Sequence, residues 1–146
     1  CAGERTRGVL DALADTDYEI QFTINVTYET SITEMFMQQK PVDYLIVLET
    51  GILEEIAKIL SDKQENGMKV YGIGSSIKCV YYLDEAVIDG LIVVDGYDMG
   101  YQSVLQISDM LKKRLHRTKD QTTDYRLLHS EDIFSEDTQK FLYTFY

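Results

Sequence analysis

The sequence predicts an α/β fold: three layers, a mostly parallel sheet with helices on both faces. Three observations carry this reading. Helical and strand-like apolar periodicities alternate along the chain. Val42 to Leu48 is an almost unbroken apolar run, as a strand covered on both faces should be. The crossovers between strands are short, which fits right-handed βαβ units.

Taken in order, Glu4 to Ala14 places Val9, Leu10 and Leu13 on one helical face. Glu19 to Val26 alternates, with Ile20, Phe22, Ile24 and Val26 on one side, and reads as a strand near an edge. Ser31 and Glu34 form a capping-box pattern that opens a short helix through Gln39. Pro41 ends that helix and sets the entry to Val42–Leu48, the expected central strand. In that strand Leu45 and Val47 should share one buried face. Thr50 is placed to cap a helix over Gly51 to Ser61, with Ile52, Ile56, Ile59 and Leu60 apolar. Lys69 to Ile73 is a third strand, followed by a helix from about Val80 to Ala86. Leu91 to Val94 is a fourth, after which Asp98 is expected to cap a long helix carrying Val104, Ile107, Leu111 and Leu115. Lysines, arginines and His116 crowd its last turn and beyond, where the helix dipole favours cations. Tyr125 to Leu128 is a candidate short strand. The tail after Ser130 is acidic but carries Phe134, Phe141, Leu142, Tyr143 and Phe145, too apolar for a disordered end. The chain divides into a lobe over residues 1–123 and a strand and tail over 124–146 that pack on the lobe or its partner.

The 146 residues are 45% hydrophobic and 27% charged, the range of a globular domain rather than a fibrous or disordered one. The formal net charge of -11 repels phosphate backbones and argues against nucleic-acid binding by this segment. No apolar stretch approaches the ~20 residues of a membrane span.

Few motifs carry chemistry. Cys1 and Cys79 have neither metal-site nor disulfide-framework spacing. Cys79 reads as a small hydrophobe. Cys1 reads first as a fragment boundary and second as the lipidated cysteine of a lipoprotein. His116 and His129 lie in polar surroundings typical of solvated histidines. Glu54 and Glu55 fall in the first turn of a helix, where the dipole favours carboxylates. Gly72-x-Gly74 lacks the third glycine of a dinucleotide fingerprint. No nucleophile–base–orienter set can be assembled, so no enzyme, metal or cofactor is expected.

Five segments, in order, resemble type I periplasmic binding proteins and the ligand domains of lactose-repressor-type regulators. Glu4 to Leu13 (ERTRGVLDAL) resembles the "ERxxGFxxAL" helix, and Val42 to Thr50 resembles a strand ending in "ND". Val70 to Ser76 (VYGIGSS) resembles "VVGFDxS", and Ile88 to Tyr101 resembles "GxIxAxVxQDPYxMGY". Ser130 to Ile133 sits where such proteins have "TxEN". The resemblance covers a C-terminal, flavodoxin-like lobe. It implies a solute-binding component of a bacterial ABC transporter for a sugar or sugar-like molecule, with the effector domain of a regulator as the alternative. It implies ligand contacts from Arg5, Glu49, Ser75, Asp95 and Tyr97, beyond the carboxyl ends of the strands, where open α/β sheets bind ligands. Glu49, Gly74 and Val94 replace the Asn, Asp and Gln that bind sugar hydroxyls in sugar-specific members. The implied partners are a carbohydrate or other polar metabolite, a membrane permease, and an N-terminal lobe or second chain completing the sheet. The location implied is extracellular or periplasmic, lipid-anchored if Cys1 is modified, and cytoplasmic for a regulator. The resemblance also implies that a strand belonging between 19–26 and 42–48 is not among these residues. Self-association, a swapped element or direct re-pairing of those two segments is then expected.

Overall fold

The computed structural model describes residues 2–27, 31–63, 67–113 and 120–143. Cys1, His116 and the basic run from Arg114 to Lys119 lie outside them. The helices are α1 (Ala2–Leu13), α2 (Ile32–Met37), α3 (Thr50–Lys63), α4 (Ile77–Asp84), α5 (Gly96–Lys113) and α6 (Glu136–Leu142). The strands are β1 (Tyr44–Val47), β2 (Lys69–Ile73), β3 (Gly90–Val94) and β4 (Tyr125–Leu128), and a 3-10 turn spans Ser130–Asp132. They form one sheet in the order β1-β2-β3-β4. The first two pairings are parallel and the β3–β4 pairing is antiparallel. The expected α/β class is thus borne out, in a sheet that is mixed rather than wholly parallel.

Short polar side chains start the helices. Ser31 Oγ accepts the Glu34 N–H at 3.3 Å, Ser76 Oγ accepts that of Cys79 at 3.2 Å, and Ser135 Oγ accepts that of Thr138 at 3.3 Å. Each supplies an acceptor to a first-turn amide that has no intrahelical partner.

The core lies on one face of the sheet. Val47, Gly72, Leu91 and Leu128 stand in one row across the four strands. Leu53, Ile56, Ala57 and Leu60 of α3 and Cys79, Val80 and Leu83 of α4 pack on that face and are buried. Gly72 is what lets α3 come so near. A Cβ there would stand 2.5 Å from Leu53 Cδ2, so the leucine occupies the space a side chain would need. Neither α1 nor α5 contributes a residue to this core.

Several expectations need correcting. Residues 19–26 do not form a strand. The alternation is real, since Phe22, Ile24 and Val26 are half-buried between exposed Gln21, Thr23 and Asn25. Yet the segment joins no ladder, because no strand among the described residues lies beside it to complete one. The two segments have therefore not re-paired directly. Consequently β1 is an edge strand, not a central one: Tyr44 and Ile46 are 50% and 47% exposed. Its apolar run is written for two covered faces and meets only one. The α4 helix begins at Ile77, earlier than its apolar spacing suggests, because Ser76 caps it. Finally, Asp95 rather than Asp98 caps α5, as described below. The stripe predicted on that helix exists but is unpartnered, with Val104 at 67% exposed and Leu111 at 76%.

Because β1 is an edge, Leu45 is only half-buried against the core while Val47 is buried. Leu45→Ala should cost about 1–2 kcal/mol, below the ~2–5 kcal/mol of a fully buried leucine. Urea denaturation of the two proteins checks this. A loss above that lower range would mean β1 is covered on its outer side.

Candidate binding site at the carboxyl ends of the strands

The parallel strands β1, β2 and β3 all deliver their carboxyl ends to one rim of the sheet. The segments that follow are 48–50, 74–76 and 95–97. Most of the polar side chains on this rim have structural partners. Glu49 Oε2 accepts the Ile52 N–H at 3.0 Å, which makes Glu49, not Thr50, the acceptor at the start of α3. Thr50 Oγ1 instead donates to the Ile73 carbonyl at 3.2 Å and ties α3 to the end of β2. Asp95 Oδ1 accepts the Asp98 N–H at 2.8 Å and so caps α5. Arg5 donates from its guanidinium to the Leu48 carbonyl at 2.6 Å, which anchors the first turn of α1 beside the end of β1.

Between β2, β3 and the C-terminal helix lies a cleft of about 220 Å³. It is lined by Ser75, Val93, Val94, Gly96, Tyr97, Phe141 and Leu142. Tyr97 is held by stacking on Tyr101, with ring centroids 6.0 Å apart and planes 11° apart. The Arg126 guanidinium sits 4.6 Å from the Phe141 ring centroid and braces that wall from outside. Of the five residues named from sequence, Ser75 and Tyr97 line this cleft. Asp95 adjoins it with its carboxylate turned to the helix cap, and Arg5 and Glu49 gather at the end of β1. Phe141 and Leu142 were not among the sequence candidates. Their signal was the apolar character of the tail, which fits burial against the lobe as well as it fits a site.

The cleft can offer the Ser75 hydroxyl, the Tyr97 phenol and apolar walls. Such a surface binds by packing and by a few oriented hydrogen bonds. Among the described residues no cluster of three His, Cys, Asp or Glu could hold a metal ion. Cys79 is fully buried below the rim, and that burial pushes its thiol up and away from the reactive thiolate. No helix is long and apolar enough to cross a membrane, within the described residues. A wider groove of about 620 Å³ between α2 and α3 is lined by Ser31, Ile32, Thr33, Glu55, Lys58, Ile59 and Asp62.

Glu54, beside the rim, is held below the usual carboxylate range. The Ser76 hydrogen bond is the largest cause, and Lys78, at 3.2 Å, adds to it. A lowered carboxylate stabilises the fold above its ordinary pKa and loses that contribution as pH falls through the lowered value. The melting temperature of the native protein should therefore drop more steeply than that of Glu54→Gln between about pH 5 and pH 3. Parallel slopes would remove Glu54 from the acid response.

No protein-family model and no curated protein sequence matches this chain. Solved structures do. A carbohydrate transporter solute-binding protein from Agrobacterium radiobacter, solved in complex with D-arabinose, superimposes with a TM-score of 0.65 at 17% identity. That match covers 76% of this chain and 38% of the other. The chain has the fold of one lobe of a type I periplasmic binding protein. GanP, a glucose-galactose binding protein from Geobacillus stearothermophilus, matches at 0.62 and 15% identity over 71% of this chain and 37% of its own. A protein assigned as a LacI transcriptional regulator from Bacteroides fragilis matches at 0.60 and 20% identity over 70% and 35%. The chain thus spans little more than a third of each of these proteins, and they include binding and regulatory proteins built on this lobe.

Proposed function

We propose that this lobe is the C-terminal half of the binding cleft of a bacterial ABC-transporter solute-binding protein for a sugar or sugar-like metabolite. The observation that supports it most is the cleft of Ser75, Tyr97 and Phe141, set at the strand ends of a fold shared with a protein solved with D-arabinose. In this reading residues 1–123 form the lobe, and 124–146 seal it through β4 and α6. Tyr97 supplies a flat face for the ligand, and Ser75 donates to or accepts from it. Asp95 beside the cleft, and Arg5 and Glu49 farther along the rim at the end of β1, add polar contacts to a ligand that reaches across the strand ends while they keep their backbone partners. The partner lobe supplies the other wall, the permease receives the loaded protein, and the site of action is outside the cytoplasmic membrane. The tyrosine-bearing start of α5 (Tyr97-Asp98-Met99-Gly100-Tyr101) favours this over the regulator alternative, which the similar match to the Bacteroides protein keeps open.

Calorimetry of the full-length natural protein against pentoses, hexoses, nucleosides and cationic metabolites tests the reading. Tyr97→Ala and Ser75→Ala should each weaken the bound class by about tenfold, one lost contact of ~1.4 kcal/mol. Tight binding untouched by both substitutions, and by Arg5→Ala and Glu49→Gln, would place the site elsewhere.

A further inference from the structure

The strand-end cleft is poor in the groups that a free sugar needs. A pentose or hexose carries a hydroxyl on nearly every carbon, and each one buried without a partner weakens binding. The lining offers two neutral polar side chains, Ser75 and Tyr97. Its other side chains are Val93, Val94, Phe141 and Leu142, and all of these but Val93 keep part of their apolar surface open. Ile77, two residues beyond Ser75 at the start of α4, is 76% exposed and extends the apolar surface of the rim. The charges around the cleft disfavour a second class of ligand. A phosphate at such a rim would take first-turn helix amides. Those amides are already engaged, at α3 by the Glu49 carboxylate, at α4 by Ser76 Oγ and at α5 by the Asp95 carboxylate. Lys78 is paired with Glu54, and the Arg126 guanidinium lies over the Phe141 ring.

We infer that the ligand is an uncharged nucleoside, with its base seated on this lobe against Phe141 and Tyr97 and its sugar turned toward the rim and the partner lobe. The inference deepens the proposed reading, and rests on it for the cleft's being where the ligand binds. A base has two apolar faces, and its few polar atoms are confined to its edge. The faces match Phe141, Leu142 and Val94. The edge atoms match the Ser75 hydroxyl, which donates or accepts, and the Tyr97 phenol. Both rings are held before any ligand arrives. Tyr97 stacks on Tyr101 with centroids 6.0 Å apart, and Arg126 sits 4.6 Å from the Phe141 centroid. Side chains already fixed in place lose little freedom on binding. Stacking on an aromatic side chain depends on the ring and little on which base it belongs to. Phe141 is therefore the specificity-determining residue, since it answers the base and offers nothing to a hydroxyl.

Calorimetry of the full-length natural protein with adenosine, uridine, D-ribose and adenosine monophosphate tests this. The better nucleoside should bind about a hundredfold or more tightly than D-ribose, and adenosine about tenfold more tightly than its monophosphate. Phe141→Leu keeps the apolar volume and loses the ring. It should weaken the nucleoside by about tenfold and leave D-ribose within about twofold, in a variant whose thermal melt matches the native one. D-ribose binding as tightly as the nucleoside overturns the inference. So does a monophosphate that binds as tightly as adenosine, or nucleoside affinity untouched by Phe141→Leu. The proposed reading fails separately: a sugar that binds well and is weakened by Tyr97→Ala and Ser75→Ala keeps the cleft and removes only the nucleoside. Tight binding of any of these ligands untouched by all three substitutions removes both.

Discussion

Truncating Leu53 to alanine is expected to cost about 2–5 kcal/mol, because the side chain is fully buried where α3 crosses the middle of the sheet. Gly72→Ala should also destabilise, since its new Cβ would fall 2.5 Å from Leu53 Cδ2 and force the leucine or the helix to shift. Overpacking of this kind costs about 1–3 kcal/mol. The informative experiment is the double variant. With Leu53 already truncated, the methyl at position 72 enters space that has been vacated, and its cost should shrink or reverse. Denaturant melts of the four proteins should therefore give a coupling energy of about 0.5–3 kcal/mol. Additive effects would mean that Leu53 does not sit over Gly72, and the packing of α3 on β2 would have to be redrawn.

The second large effect is expected at Asp89, just ahead of β3. Its carboxylate accepts the Val70 N–H at 2.8 Å and the Lys69 ammonium at 2.6 Å, while its own N–H goes to the Val70 carbonyl. It thus closes the amino-terminal end of the β2–β3 pairing. Asp89→Ala strips the Val70 amide of its acceptor at a half-buried position and should cost about 1–3 kcal/mol. Asp89→Asn keeps an acceptor oxygen and loses only the ion pair to an exposed lysine, a much smaller loss. Asp89 also raises the Lys69 pKa, through the hydrogen bond first and its charge second. A raised lysine contributes its stabilisation below the ordinary lysine pKa and loses it as pH rises through the raised value. The gap between native and Asp89→Asn should accordingly narrow in strongly alkaline solution. Equal losses in the Ala and Asn variants would show that charge, not the Val70 hydrogen bond, is what matters there.

Much of this architecture was legible in the residues. The Lys69–Ile73 strand falls where its apolar run falls, and of the four apolar residues read on α3, Ile56 and Leu60 are buried while Ile52 and Ile59 are half-buried, the buried face being completed by Leu53 and Ala57. What misled was the assumption that each pattern finds its partner. The alternation at 19–26 and the two-faced run at β1 are written for a sheet one strand wider. The α5 stripe is written for a surface that β1 to β4 do not supply. Local pattern specifies which faces want burial, but a ladder needs a second strand to exist. The rim residues illustrate a different limit. Glu49 and Asp95 were found at the strand ends, but a carboxylate there serves a helix start as well as a ligand, and sequence spacing does not separate the two. Phe141 came from 44 residues beyond Tyr97, a proximity that only the tertiary fold creates.

Small molecules are expected to meet this lobe at its strand-end rim. Titration of the full-length, isotope-labelled natural protein with D-arabinose, D-glucose and a nucleoside, followed by amide chemical shifts, tests it most directly. The ligand that binds should perturb Ser75, Val94, Gly96, Tyr97 and Leu142 together and leave the α2–α3 groove at Thr33, Lys58 and Asp62 unchanged. Shifts concentrated in that groove with the strand-end residues silent would contradict it.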